Sequence, residues 1–173
     1  MDNAQLGIIS LKQFDLSSLN DFTCGDEKLD SFLRKEAKLF EENLYSSTWL
    51  VIHPKHDVIG YFALCNSSLE LQSQEHMVLN LDESKYKLRA PSILLTKLGV
   101  SKKFHGKKFG TSIIRIITEM AAKSSAYISA RLLIVDAIND KESFYEKCGF
   151  TSCMNNNKGK KTVKMYLDLL DIR

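Results

Sequence analysis

Residues 93–121 read ILLTKLGVSKKFHGKKFGTSIIRIITEMA: an apolar run, a turn with two glycines and four lysines, then isoleucines at helical spacing. A strand that passes through such a turn into a helix leaves several backbone N–H groups without partners, and the helix dipole adds partial positive charge there. Such a junction binds phosphate. Two well-known phosphate loops fail on spacing. The Walker pattern needs four residues between its glycines and then Lys-Ser/Thr, whereas Gly106 and Gly110 bracket three residues and Thr111 follows directly. The dinucleotide pattern GxGxxG is absent as well.

The flanking segments define the class of fold. Segment 26–43 spaces Leu29, Phe32, Leu33, Ala37 and Phe40 as the buried face of an amphipathic helix, with Asp26 as its cap. WLVIHP and DVIGYFALCN are expected to be two strands joined by a turn from Pro54 to Asp57, the second apolar on both faces as in a central strand. Another strand fits 92–100, and a helix from about 110 puts Ile113, Ile114, Ile117 and Ala121 on one face. RLLIVDAI is the next strand. NDKESFYEKCGF follows as a short helix, with Asn139 at the N-cap, Glu142 in a capping box and Gly149 as the stop. TSCM and KTVKMYLDL form a closing hairpin. This order predicts an α/β (α+β) fold, a central mixed sheet flanked by helices, with parallel pairing around 92–137 and one domain over 1–173.

A chain of 173 residues, 44% hydrophobic and 26% charged, is an ordinary globular sequence rather than a disordered one. The N-terminus lacks a basic segment leading into an apolar one, and no run is long enough for a membrane span, so a cytoplasmic protein is expected. Cys24, Cys65, Cys148 and Cys153 show no metal-ligand spacing and are expected to be reduced. His53 and His56 in HPKH lack further ligands, so they are expected on the surface and no metal is expected. Charge is unevenly spread: residues 1–50 hold nine acids against five bases. Lys102, Lys103, Lys107, Lys108 and Arg115 form one acid-free basic patch, and Lys158, Lys160, Lys161 and Lys164 a second. Both suit a polyanion, and both equally suit a solvated loop.

The turn resembles the acetyl-CoA loop of the GNAT superfamily of N-acetyltransferases, whose pattern is Q/R-x-x-G-x-G/A. His105, Lys108 and Gly110 fall on the three patterned positions, with Gly106 where many members carry an additional glycine; His105 replaces Gln or Arg, and Lys108 replaces a glycine. VDAINDKESFYEKCGF is similar to the second signature of that family through Asn139, Phe144, Tyr145, Gly149 and Phe150. The resemblance implies that Tyr145 protonates the departing CoA thiolate and that Asn139 helps hold the pantetheine. The pyrophosphate then lies on the backbone of Gly106, Lys107, Lys108, Phe109, Gly110 and Thr111, beside His105, while Leu98, Gly99 and Val100 hold the pantetheine and the thioester carbonyl. A relay through Cys148 is the rival chemistry, but no histidine lies beside it in sequence to activate it.

FTCGDEKLDSFLRKEA, with Cys24, Gly25, Leu29, Asp30, Phe32, Leu33 and Ala37, is similar to the start of the GNAT-type toxins of bacterial toxin-antitoxin pairs. That likeness implies acetylation of the α-amine of aminoacyl-tRNA and a ribbon-helix-helix antitoxin as partner, and it leaves a homodimer open. Read without the resemblance, the same segment is a helix start: Gly25 in a turn, Asp26 as cap, Leu29 and Phe32 in the core. Two other functions stay open on the residues: an acetyltransferase for a small amine or protein N-terminus, and a non-catalytic acyl-CoA-binding module.

Overall fold

The computed structural model describes residues 6–19, 21–54, 57–86, 89–156 and 161–172, without the side chains of Asp57 and Asn139. Its strands are β1 (Gly7–Ser10), β2 (Ser47–His53), β3 (Asp57–Leu69), β4 (Ala90–Val100), β5 (Leu132–Ile138), β6 (Thr151–Ser152) and β7 (Thr162–Asp168). They form one seven-stranded sheet in the order β1-β2-β3-β4-β5-β7-β6. The helices are α1 (Glu27–Ser31), α2 (Ala37–Glu42), α3 (Ser73–Val78), α4 (Phe109–Ser124) and α5 (Glu142–Lys147). The expected mixed α/β architecture is therefore present, and α4 connects β4 to its sheet neighbour β5. Residues 59–64 of β3 are buried on both faces, as an apolar central strand requires.

By packing, the chain forms two compact units. One comprises Met1–Cys65 and Leu95–Ile113, the other Asn66–Leu94 and Ile114–Arg173. In the first, Phe32, Leu33, Ala37, Leu50 and Tyr61 form the core, with Phe32 stacked on Tyr61 at 6.3 Å. The expected helix over 26–43 is there, and Asp26 caps it by accepting from the N–H groups of Lys28 and Leu29. It is not uniform, however: a π segment, Phe32–Glu36, separates α1 from α2. The extra residue of that wide turn keeps both Phe32 and Ala37 buried.

In the second unit, Leu69, Leu79, Leu132, Ile134 and Tyr166 form the core. Arg131 bridges Asp168 through two 2.7 Å hydrogen bonds and donates a third to the Leu79 carbonyl at 2.9 Å. The closing hairpin forms as expected, with Thr151 opposite Tyr166 and Ser152 opposite Met165. β1 and α3 had no clear signal in the sequence, being four and six residues long. Contrary to expectation, His53 is buried at the end of β2, and His56 lies outside the described residues. Among the described residues no cluster of three or more potential metal ligands occurs, and no helix is long and apolar enough to cross a membrane.

Candidate active site

β4 ends at Val100, and the loop that follows is tied down at its start. Ser101 N–H donates to the Ile59 carbonyl at 2.8 Å, and Lys102 N–H donates to the Thr23 carbonyl at 2.8 Å. A short 3-10 turn, Lys102–Phe104, then buries Phe104, whose ring meets the buried Phe109 edge-on at 5.5 Å. That contact sets where α4 begins. The first hydrogen bond of α4 runs from Ser112 N–H to the Lys108 carbonyl at 3.3 Å. The N–H groups of Phe109, Gly110 and Thr111 precede it and have no acceptor within the helix. They are donors available to an anion, at the positive end of the α4 dipole.

Two residues in left-handed conformations shape the turn before α4: Gly106 at φ 75° and Lys108 at φ 63°. A Cβ built on Gly106 meets nothing within 4 Å, so this glycine is required by its backbone angle, and the space beside it is open to a ligand. Lys108 holds a conformation that costs a non-glycine residue on the order of 1 kcal/mol, which explains why a glycine suits this position. Lys108→Gly is accordingly expected to raise the unfolding free energy by roughly 0.5–1 kcal/mol, and Lys108→Val to lower it by about 1 kcal/mol; denaturant midpoints check both.

The histidine at the first patterned position serves the loop itself. His105 Nε2 lies 2.9 Å from the Val100 carbonyl oxygen, so it carries the proton and donates, bracing the turn against the end of β4. Lys107, although exposed, folds back on the loop, donating to the Lys103 carbonyl at 3.1 Å with its ammonium 5.3 Å from the centre of the Phe104 ring. Lys102, Lys103 and Lys108 are exposed. Leu98 and Val100 are half-buried, and Gly99 is buried where an added Cβ would come within 2.5 Å of the Tyr61 ring.

In the other unit, α5 presents Tyr145. Its ring packs edge-on against Phe144 at 5.1 Å and Phe150 at 5.6 Å, leaving it 9% exposed. The helix closes as the sequence suggested: Phe150 N–H returns to the Tyr145 carbonyl at 3.1 Å, and Gly149 takes φ 91°. Burial first, and the neighbouring Cys148 thiol second, push the Tyr145 phenol up to about 12. It therefore stays protonated across the physiological range.

α5 begins later than the sequence spacing suggested. Asn139 begins a 3-10 turn, Lys141 occupies the N-cap position without a side-chain bond, and Glu142 instead accepts from the Ser152 hydroxyl at 2.7 Å. The short β6 strand thus engages one oxygen of the carboxylate that sequence spacing assigned to the helix. The side chain of Asn139 lies outside the described residues.

The second basic patch is also less free than its sequence implies. Lys164 pairs with Asp136 at 2.7 Å across β5 and β7, Lys161 is exposed, and Lys158 and Lys160 lie outside the described residues. In the first patch Arg115 approaches Glu119 at 3.8 Å on the surface of α4. The four cysteines are thiols, Cys24 and Cys153 buried, Cys65 and Cys148 partly so.

Sequence reasoning missed the group that organises residues 23–30. Asp30 is buried; it accepts the Thr23 hydroxyl at 2.6 Å and the Cys24 N–H at 2.8 Å. Desolvation opposes its ionisation, but the hydrogen bonds from Cys24 and Thr23 outweigh that and hold its carboxyl below the usual range. Burial, then the hydrogen bond to Asp30, pushes the Cys24 thiol up to about 11, so it is an inert core thiol rather than a nucleophile. The L-D pair of the motif was the available signal.

Comparison with known proteins joins these observations. The tRNA-acetylating toxin of Mycobacterium tuberculosis (strain ATCC 25618 / H37Rv) is 26% identical over 133 residues, 76% of each chain. The AtaT toxin complexed with acetyl-methionyl-tRNAfMet superposes with a TM-score of 0.75 at 23% identity, over 97% of both chains. A variant of AtaT bound to the C-terminus of the antitoxin AtaR and acetyl-CoA gives 0.73 at 22%, over 97% of this chain and 96% of that one. Residues 45–152, which hold the turn before α4 and Tyr145, match the acetyltransferase (GNAT) domain, and the chain belongs to that family.

Proposed function

We propose that this protein is an acetyl-CoA-dependent N-acetyltransferase acting on the α-amine of aminoacyl-tRNA, a translation-blocking toxin. The observation that carries the substrate is the likeness to a tRNA-acetylating toxin over three quarters of both chains. The geometry of the loop supports the donor. Three free N–H groups, open space at Gly106 and the ammonium of Lys108 fit a pyrophosphate by charge and by shape. In this reading His105 and Lys107 shape the loop, and Leu98, Gly99, Val100 and Asn139 hold the pantetheine arm. The whole of 1–173 works as one transferase domain.

Tyr145 supplies the acid. The amine nitrogen bonds to the thioester carbonyl carbon, the C–S bond breaks, and the Tyr145 hydroxyl delivers its proton to sulfur. A phenol at about 12 gives up a proton to a thiolate, whose acid is near 8.5, only uphill. The transfer is therefore coupled to the proton that the acylated nitrogen sheds, which restores the phenol. No strong base is needed, because an α-amine near pKa 8 is partly neutral at physiological pH.

This makes the pH profile a test. kcat/KM for an aminoacyl-tRNA is expected to rise about tenfold per pH unit below roughly 8 and then to stay level to about pH 10, as the amine deprotonates and Tyr145 does not. A descending limb between pH 8 and 10 would contradict the assignment of the acid. An antitoxin of the ribbon-helix-helix type, a homodimeric state and a cytoplasmic location, where charged tRNA is found, complete the reading.

A further inference from the structure

We propose that Asp30 is a positioning residue for the acetyl-CoA phosphate loop, acting through the turn at Thr23–Gly25. The inference rests on the acetyl-CoA reading given above. It starts from a redundancy: α1 already has its cap in Asp26, which takes the Lys28 and Leu29 N–H groups. Helix initiation therefore does not require a second carboxylate. Asp30 faces back instead, and both of its oxygens are engaged by the preceding turn, Oδ2 by the Thr23 hydroxyl and Oδ1 by Cys24 N–H. The same Thr23 hydroxyl oxygen accepts Gly25 N–H at 3.1 Å, and Gly25 sits at φ 83°.

The turn closed in this way points the Thr23 carbonyl at Lys102 N–H, 2.8 Å away. Lys102 opens the loop that leads to Gly106 and the first turn of α4. The other two restraints on the loop, Ser101 N–H to Ile59 and His105 to Val100, come from β3 and β4 themselves. The Thr23 contact is the one restraint of these three supplied from outside the sheet. Side chains pack the two segments together as well: a Cβ on Gly25 would lie 3.8 Å from Lys102 Cδ. A carboxylate with two strong acceptor bonds thus anchors, through Thr23, the start of the loop at Lys102, seven residues ahead of the Phe109 N–H that opens the donor set.

Calorimetric titration with CoA separates this role from plain stabilisation. Asp30→Ala is expected to raise the CoA Kd about tenfold, and Thr23→Val, at an exposed residue, about threefold. At saturating acetyl-CoA, kcat stays within about twofold of the parent and KM for the acceptor is unchanged. Leu11→Ala, a core change in the same unit, serves as the control; it lowers Tm and leaves the CoA Kd unchanged. Wild-type CoA affinity in folded Asp30→Ala, or equal weakening in Leu11→Ala, would overturn the proposal. Should Asp30→Ala not fold, Thr23→Val decides by the same criterion. A parent protein that binds no CoA would instead overturn the acetyl-CoA reading, and this inference with it.

Discussion

Tyr145→Phe is expected to lower kcat about a hundredfold while leaving the acetyl-CoA Kd within about twofold. The substitution removes one oxygen and keeps the ring that packs on Phe144 and Phe150, so Tm should hold. In the proposed mechanism only the proton for sulfur is lost. The structure makes the expectation specific, because burial keeps the phenol protonated at every pH where the enzyme is assayed. Single-turnover rates with a charged tRNA measure the step directly. An unchanged rate would remove Tyr145 from the mechanism, and a loss seen only in Kd would make it a binding residue.

The largest stability effect is expected at Gly60. A Cβ there would stand 2.5 Å from the Gly99 carbonyl oxygen, 3.1 Å from Ile113 Cδ1 and 3.3 Å from Val100 Cα. Two of these atoms are backbone of the adjacent strand, which cannot rotate away. Gly60→Ala should therefore cost about 3 kcal/mol and lower Tm by roughly 6–12 °C. Gly106→Ala meets no atom within 4 Å and pays only for its backbone angle, about 1 kcal/mol. Thermal unfolding of the two variants side by side distinguishes close approach from backbone conformation. Comparable losses would mean that the β3–β4 contact is softer than the distances imply. The Gly60 change also moves the end of β4, where Gly99 and Val100 are expected to hold the pantetheine, so activity should fall further than Tm alone explains.

Much of the fold is legible because it repeats. Ile113, Ile114, Ile117 and Ala121 recur at helical spacing and are buried; the apolar run of β3 is central; Gly149 ends α5 in a left-handed conformation. The features that escaped the sequence are those made by single partners from distant segments. Glu142 has the spacing of a capping residue, but its bond from the Ser152 hydroxyl has no sequence signal. Lys164 reads as part of a basic run until the register of β5 and β7 sets Asp136 opposite it. Likewise, the sequence can show that His105 replaces a Gln or Arg, but only coordinates show its ring donating to Val100.

The candidate site divides along the same line. The sequence named the turn and Tyr145 through local motifs, and it flagged Lys108 as a departure from glycine. What it could not supply is the angle of Lys108, which shows that the loop keeps a glycine-like backbone despite the lysine. Nor could it supply the role of Asp30, whose partners are visible only once the turn at Thr23 and the loop at Lys102 are in place.

The proposed acceptor is an amine carried on tRNA. Incubating the protein with labelled acetyl-CoA and a mixed tRNA pool, charged in one sample and stripped of amino acids in the other, tests it most directly. The expected result is label in the charged sample alone, released by mild alkali as N-acetyl-amino acid. Equal labelling of stripped tRNA, or no label in either sample from a protein that binds acetyl-CoA, would contradict it.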